Sequence, residues 1–230
     1  MECDDYFHVE AWDIENVVEE YIREIDKAQI IMTYDVYSDG TVSVNESLKD
    51  AGNLSKAGNM FRYGMRFAMP GNYSTVDFYG KGPWENYSDR NSSAMVGRYV
   101  QSVNEQYHYG YVRAQESGTK TGLRYFRVLD GNDCGLEITS DVKFSASALP
   151  FSIEQMDSQT QTINPRILHS LELKALAHEN DRAAGQTHVT FDLVQMGMGC
   201  VNSWGARPLD EYMVPAKEME FNFVLRPVVR

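Results

Sequence analysis

Residues 30–48 read IIMTYDVYSDGTVSVNESL. Two runs of period-two alternation, 30–37 and 41–48, flank Ser38-Asp39-Gly40. The Asp-Gly pair supplies the positive φ angles that a tight hairpin turn needs, so the stretch predicts two antiparallel strands. The same grammar recurs along the chain. MFRYGMRFAM (60–69) ends in Pro70-Gly71-Asn72, and STVDFYG (74–80) follows. GLRYFRVL (122–129) enters Asp130-Gly131-Asn132, then LEITSDVKFSA (136–146). SLELKALAH (170–178), THVTFDLVQM (187–196) and KEMEFNFVLRP (217–227) complete about ten strands with short connections. That pattern predicts an all-β fold, a large antiparallel sandwich. Residues 14–25, IENVVEEYIREI, break it: apolar side chains at 14, 17, 18, 21, 22 and 25 have helical spacing.

Composition narrows the function classes. The chain has 230 residues, 43% hydrophobic and 23% charged, with a formal charge of −12. A chain of this size buries roughly three quarters of its unfolded surface and needs no disulfide or metal to fold. The acidic balance argues against nucleic acid or an anionic membrane surface as partner, because both bind through excess Lys and Arg. A neutral small molecule such as a sugar suits it. Cys3, Cys134 and Cys200 are far apart and odd in number. They suggest neither a disulfide framework nor a zinc site, and favour a reducing compartment. No run approaches the ~18 apolar residues of a membrane span, and the acidic start MECDDYFHVEAWD is no signal peptide. No repeat or long linker divides the chain, so one domain is expected over 28–230, with 1–27 a separate, unassigned segment.

Familiar catalytic signatures are missing. There is no GxxxxGK[ST], HExxH or GxSxG, and GKGPWE (80–85) lacks the third glycine of a dinucleotide loop. The histidines, at 8, 108, 169, 178 and 188, have no metal-ligand spacing. Five Asn-x-Ser sequons, at Asn45, Asn53, Asn72, Asn86 and Asn91, fit chance in an Asn- and Ser-rich chain. Glu85 and Asp89 share one polar loop. A glycosidase pair must stand about 5–9.5 Å apart across a cleft, which spacing alone does not show, and loop capping is the simpler reading.

Three stretches are unusual: FYGKGPWENYSDR (78–90), YGYVRAQESGTKTGLRYFRV (109–128) and DLVQMGMGCVNSWGARP (192–208). In this order and spacing they resemble the C-terminal, small-chain domain of the large bacterial β-galactosidases of glycoside hydrolase family 2. The resemblance is close at 80–90, 111–125 and 196–204 and looser from about Ala28 onward. It implies a many-stranded antiparallel supersandwich of galactose-mutarotase type. It also implies that the catalytic glutamates, with magnesium and sodium, lie in a separate TIM barrel. Such a barrel needs about 200 residues or more of alternating strands and helices, and this chain has no such stretch. The expectation is a C-terminal piece of a larger enzyme, with no catalytic residue and no cofactor of its own. The parent would be a homo-oligomer, in the cytoplasm or periplasm.

By that resemblance Trp204 is the substrate-binding residue, a plate under the galactoside. An indole offers large apolar area with few rotamers to freeze, which suits the C–H face of a pyranose. Residue type alone would make it a core tryptophan. Asn86, Tyr87, Asp89, Arg90, Gln115 and Glu116 are expected to hold loops in place, and Trp84 and Trp12 carry no assigned role. Two alternatives stand beside this reading. One is a stand-alone carbohydrate-binding sandwich. The other is a mutarotase-like enzyme, which needs a general acid and base facing one sugar, with His108 and His169 as candidates.

Overall fold

The computed structural model describes residues 28–52, 54–111, 116–156, 185–199 and 205–230. The helix expected at 14–25 and the strand expected at 170–178 lie outside them. The opening hairpin is present: β1 (Ala28–Val36) pairs antiparallel with β2 (Val42–Asp50). Its turn closes through Gly40 N–H to Tyr37 O at 3.0 Å, with Gly40 at φ +81°. The Asp39 carboxylate accepts from Thr41 N–H at 2.9 Å, which fixes the loop locally.

The remaining strands are β3 (Asn59–Met60), β4 (Arg62–Pro70), β5 (Thr75–Gly82), β6 (Met95–Ser102), β7 (Lys120–Leu129), β8 (Gly135–Leu149), β9 (Gln186–Gln195), β10 (Val214–Pro215) and β11 (Met219–Val228). Nine of the eleven strands join one antiparallel sheet in the order β1-β2-β11-β8-β7-β5-β6, with β9 also on β8 and β4 on β9; β3 and β10 form a small ladder. The fold is all-β and antiparallel, as the alternation predicts.

The long strand β8 makes this sheet fold into layers. Its first part pairs with β11 up to Ser140, and its last part pairs with β9 from Ser145. Between these, its register against β7 jumps from Thr139–Tyr125 to Phe144–Leu123. Ser140 Oγ donates to Asn222 O at 2.7 Å and accepts from Val142 N–H at 3.2 Å, fixing the bend. β11 and β9 therefore leave β8 as two facing arms. Phe191 of β9 packs edge-on against Phe223 of β11, with centroids 4.8 Å apart. Tyr63, Met65, Phe67 and Met69 of β4 and Val44 and Leu48 of β2 join the same buried core. The opposite register of β4, from Arg62 to Pro70, faces away from it.

Besides the two-residue β10, one strand was not legible. β6, MVGRYVQS, pairs only with β5, and Met95, Val96 and Val100 are exposed. Its burial does alternate, with Gly97, Tyr99 and Gln101 half-buried and Val96, Arg98 and Val100 exposed, but glycine and glutamine hold inward places while valines face out, so no apolar period shows in the sequence.

Candidate functional site

The three unusual stretches converge at one end of the sandwich. Asn86 is the stitch between the first two. Its amide donates to Lys81 O and Trp84 O, each at 3.0 Å, and its Oδ1 accepts from the Thr121 N–H and hydroxyl. Its own N–H reaches Thr119 O at 2.8 Å. Its side-chain bonds go to three backbone groups and the Thr121 hydroxyl, so Asn86 holds the loop shape, as expected of it.

Glu85 is as fully used. Oε1 accepts from Arg90 at 2.8 Å and from the Tyr111 hydroxyl, while Oε2 accepts from Ser117 Oγ at 2.9 Å and Gly118 N–H at 2.8 Å. A carboxylate with four donors has no lone pair left to attack or to take a proton. Arg90 also lies over the Tyr87 ring, 4.7 Å from its centroid. Asp89 accepts from Gly199 N–H through Oδ2, and its buried Oδ1 has no partner.

Below this loop lies an ion cluster. Arg62 Nη2 stands 3.5 Å from both Glu116 Oε2 and Asp192 Oδ2. Glu116 Oε1 in turn accepts from Thr119 Oγ1 at 3.0 Å and Tyr87 Oη at 3.5 Å. Burial pushes Asp192 up to about 7, outweighing the pull of Arg62, with Glu116 adding to the rise. Burial, then the Asp192 charge, lifts Glu46 to about 7 as well. Glu46 Oε2 and Asp192 Oδ1 are buried without hydrogen-bond partners. Burial raises Tyr87 well above its ordinary value, with Glu116 and Glu85 adding to it. Arg62 and Glu116 also line a cavity of about 610 Å³, between the outer register of β4 and the helical turn Ile153–Met156. Arg66 and Glu154 pair there at 2.7 Å, and burial lowers His188.

Sequence reasoning missed Arg62, Asp192 and Glu46. One signal was present: Glu46 occupies the inward slot of the alternation Val42, Val44, Glu46, Leu48. A carboxylate in a core register calls for a buried partner.

The third stretch is strapped onto the first. Met196 N–H donates to Phe61 O at 2.8 Å and Gly197 N–H to Tyr212 O at 2.9 Å. A methyl at Gly197 would sit 2.7 Å from Asp89 Cγ and 2.9 Å from Tyr212 Cβ. Gly199 has φ +44°, and a methyl there would meet Pro208 Cα at 2.7 Å. Only glycine fits either place. The strap leads directly into 200–204. Trp204, Cys200, Gln115 and His169 lie outside the described residues. His108 is exposed, its ring edge-on to Tyr111 at 4.7 Å. Cys134 is a half-buried free thiol.

These features define a class first: an all-β antiparallel domain whose polar end is a set of loops braced by buried charge. Residues 4–225 match the model of the β-galactosidase small chain, and the chain belongs to that family. It is 32% identical over 213 residues to the β-galactosidase of Streptococcus thermophilus, covering 90% of this chain and 19% of that protein. The β-galactosidase of Halalkalibacterium halodurans is 27% identical over 205 residues, 88% of this chain and 18% of the relative. That of Vibrio cholerae is 26% identical over 229 residues, 98% and 20% respectively. The chain thus spans about a fifth of the length of these curated relatives. In them this region is one part of a larger β-galactosidase.

Proposed function

We propose that the chain serves as the small-chain part of a retaining β-galactosidase and contributes Trp204 to its galactoside site. The observation that carries this reading is the strap. Asp89, Pro208 and Tyr212 crowd Met196–Gly199, five residues before Trp204, so closely that neither Gly197 nor Gly199 has room for a side chain. A plate that must meet a sugar in another domain needs such a mount, because a misplacement of about 1 Å is costly in catalysis. In this reading a barrel domain supplies the acid/base and nucleophile carboxylates, together with magnesium and sodium, and the assembled enzyme is a homo-oligomer. Exposed Ile31, Tyr34 and Val36 on β1 and Met95, Val96 and Val100 on β6 give apolar surface for such contacts.

The test is Trp204→Ala in the full-length protein, assayed with a chromogenic β-galactoside. KM should rise on the order of ten- to a hundredfold, the usual range for an aromatic anchor, with the melting temperature unchanged. An unchanged KM with a large fall in melting temperature would return Trp204 to the core. The 230-residue chain alone, with magnesium present, should show no turnover. Turnover that survives repurification would place the catalytic carboxylates within it.

A further inference from the structure

The loop that Asn86 holds also presents Trp84, which is 73% exposed. Its backbone carbonyl is fixed by the Asn86 amide, so the indole stands on a rigid base. It is not alone on the surface. Trp84 forms one wall of a cavity of about 490 Å³, within the ~300–1,000 Å³ range of small-molecule sites. Gln106, His108, Tyr109 and Lys120 line the rest of it that matters here.

Two of these groups have unused hydrogen-bonding capacity. Gln106 is 2% exposed; its amide donates to Gln101 Oε1 at 2.9 Å, but its Oε1 is buried with no partner. Lys120 is 1% exposed and donates to Gly118 O at 2.8 Å. An ammonium carries three donors; among the described residues that carbonyl is its one hydrogen-bond acceptor, and the Phe78 ring lies 5.9 Å from Nζ. Burial lowers Lys120 to about 8, with Glu85 opposing, so it remains a donor at neutral pH. A buried acceptor and a buried donor left short of partners call for a group that can both give and take. A hydroxyl does both.

Charge decides what kind of hydroxyl compound. Glu85 has four donors already, and Glu105 is spent on the Ser102 N–H at 2.8 Å and hydroxyl at 2.9 Å. An anionic ligand would meet both carboxylates, and a cationic one would meet the Lys120 ammonium. A neutral ring with hydroxyls on its rim and C–H groups on its face meets neither obstacle and stacks on the indole. We propose that Trp84, Gln106 and Lys120 form a binding site for a neutral pyranose, separate from Trp204. This site uses the chain's own residues and stands whether or not Trp204 reaches a galactoside.

The experiment is fluorine NMR on the 230-residue chain labelled with 5-fluorotryptophan. It has three indoles, at 12, 84 and 204, and single Trp→Phe variants assign their signals. Methyl β-D-galactopyranoside and methyl β-D-glucopyranoside are the probes. The Trp84 signal should shift saturably with a millimolar Kd for at least one of them. Trp84→Ala, at a surface position that leaves folding intact, should weaken that binding at least about tenfold. Gln106→Met, which keeps the volume and removes the acceptor, should weaken it too. A Trp84 signal that stays still up to about 50 mM of both sugars would overturn the proposal. So would a shift confined to Trp204, or an affinity unchanged by Trp84→Ala.

Discussion

Glu46→Gln offers a direct measure of what the buried ion cluster costs. In the unfolded chain Glu46 ionises near its ordinary 4.5, and in the folded chain near 7. Between these values the native state keeps a proton that the unfolded state has lost. Stability therefore falls as pH rises across that window, is fully present below about 4.5 and is lost through about 7. Each pH unit inside the window is worth ~1.4 kcal/mol, so the step from pH 5 to pH 8 removes on the order of 2–3 kcal/mol. Glutamine has the same shape and no proton to lose, and its amide can donate toward Asp192. The variant should match the natural chain within ~1 kcal/mol at pH 5. It should exceed it by roughly 2–3 kcal/mol at pH 8. Urea unfolding of both proteins at four pH values reads this difference directly. Asp192 contributes a slope of the same sign to both, so only the difference between the two proteins isolates Glu46. Equal slopes, or a variant less stable at every pH, would refute the placement of Glu46 beside Asp192 in a water-poor core.

Two further predictions follow from other contacts. Burial tends to raise Asp77, but hydrogen bonds from Arg98 at 3.0 and 2.9 Å and the Arg98 charge, with Tyr125 and Arg127 adding to them, hold its carboxyl below the ordinary range. Its stabilisation is present above the unfolded value of 3.8 and lost as pH falls through the folded one. Asp77→Asn should therefore cost about 1 kcal/mol at pH 7, discounted for the exposed Arg98. That gap should close on acid titration followed by circular dichroism. Gly197→Ala forces a methyl into Asp89 and Tyr212, and should lower stability by about 1–3 kcal/mol. In the full-length enzyme it should raise KM along with Trp204→Ala, and a normal KM would detach the strap from the sugar site.

The alternating segments could be read because their inward residues are apolar and their turns carry Gly, Asp and Pro. β1, β2, β4, β7 and β9 follow from that rule alone. β6 did not, since its half-buried face carries Gly97 and Gln101 beside Tyr99 while its exposed face carries Val96 and Val100. The last three residues of β8, SAL, were missed for the opposite reason: Ser147, Ala148 and Leu149 are all buried, so the alternation disappears into continuous burial. The candidate site was legible as motifs and not as geometry. ENYSDR and QESG announce loop-bracing polar residues, and Asn86, Asp89 and Arg90 do brace loops. The buried cluster was not legible: Arg62 comes from a strand some distance away in sequence, and no local pattern links it to Glu116 or Asp192. Sequence spacing contains periodicity, but it does not contain the crossing of β4 beneath a loop.

β8 belongs to both arms of the sandwich at once. Most sandwiches have a seam, where one sheet can swing from the other without breaking a backbone ladder. Here Gly135–Leu149 crosses that seam, so the arms are joined by one continuous strand as well as by the core between them. Any force that a neighbouring domain applies to the β9 arm is delivered through covalent chain to the β11 arm and its hairpin. The braced loops sit on a frame that transmits displacement rather than absorbing it.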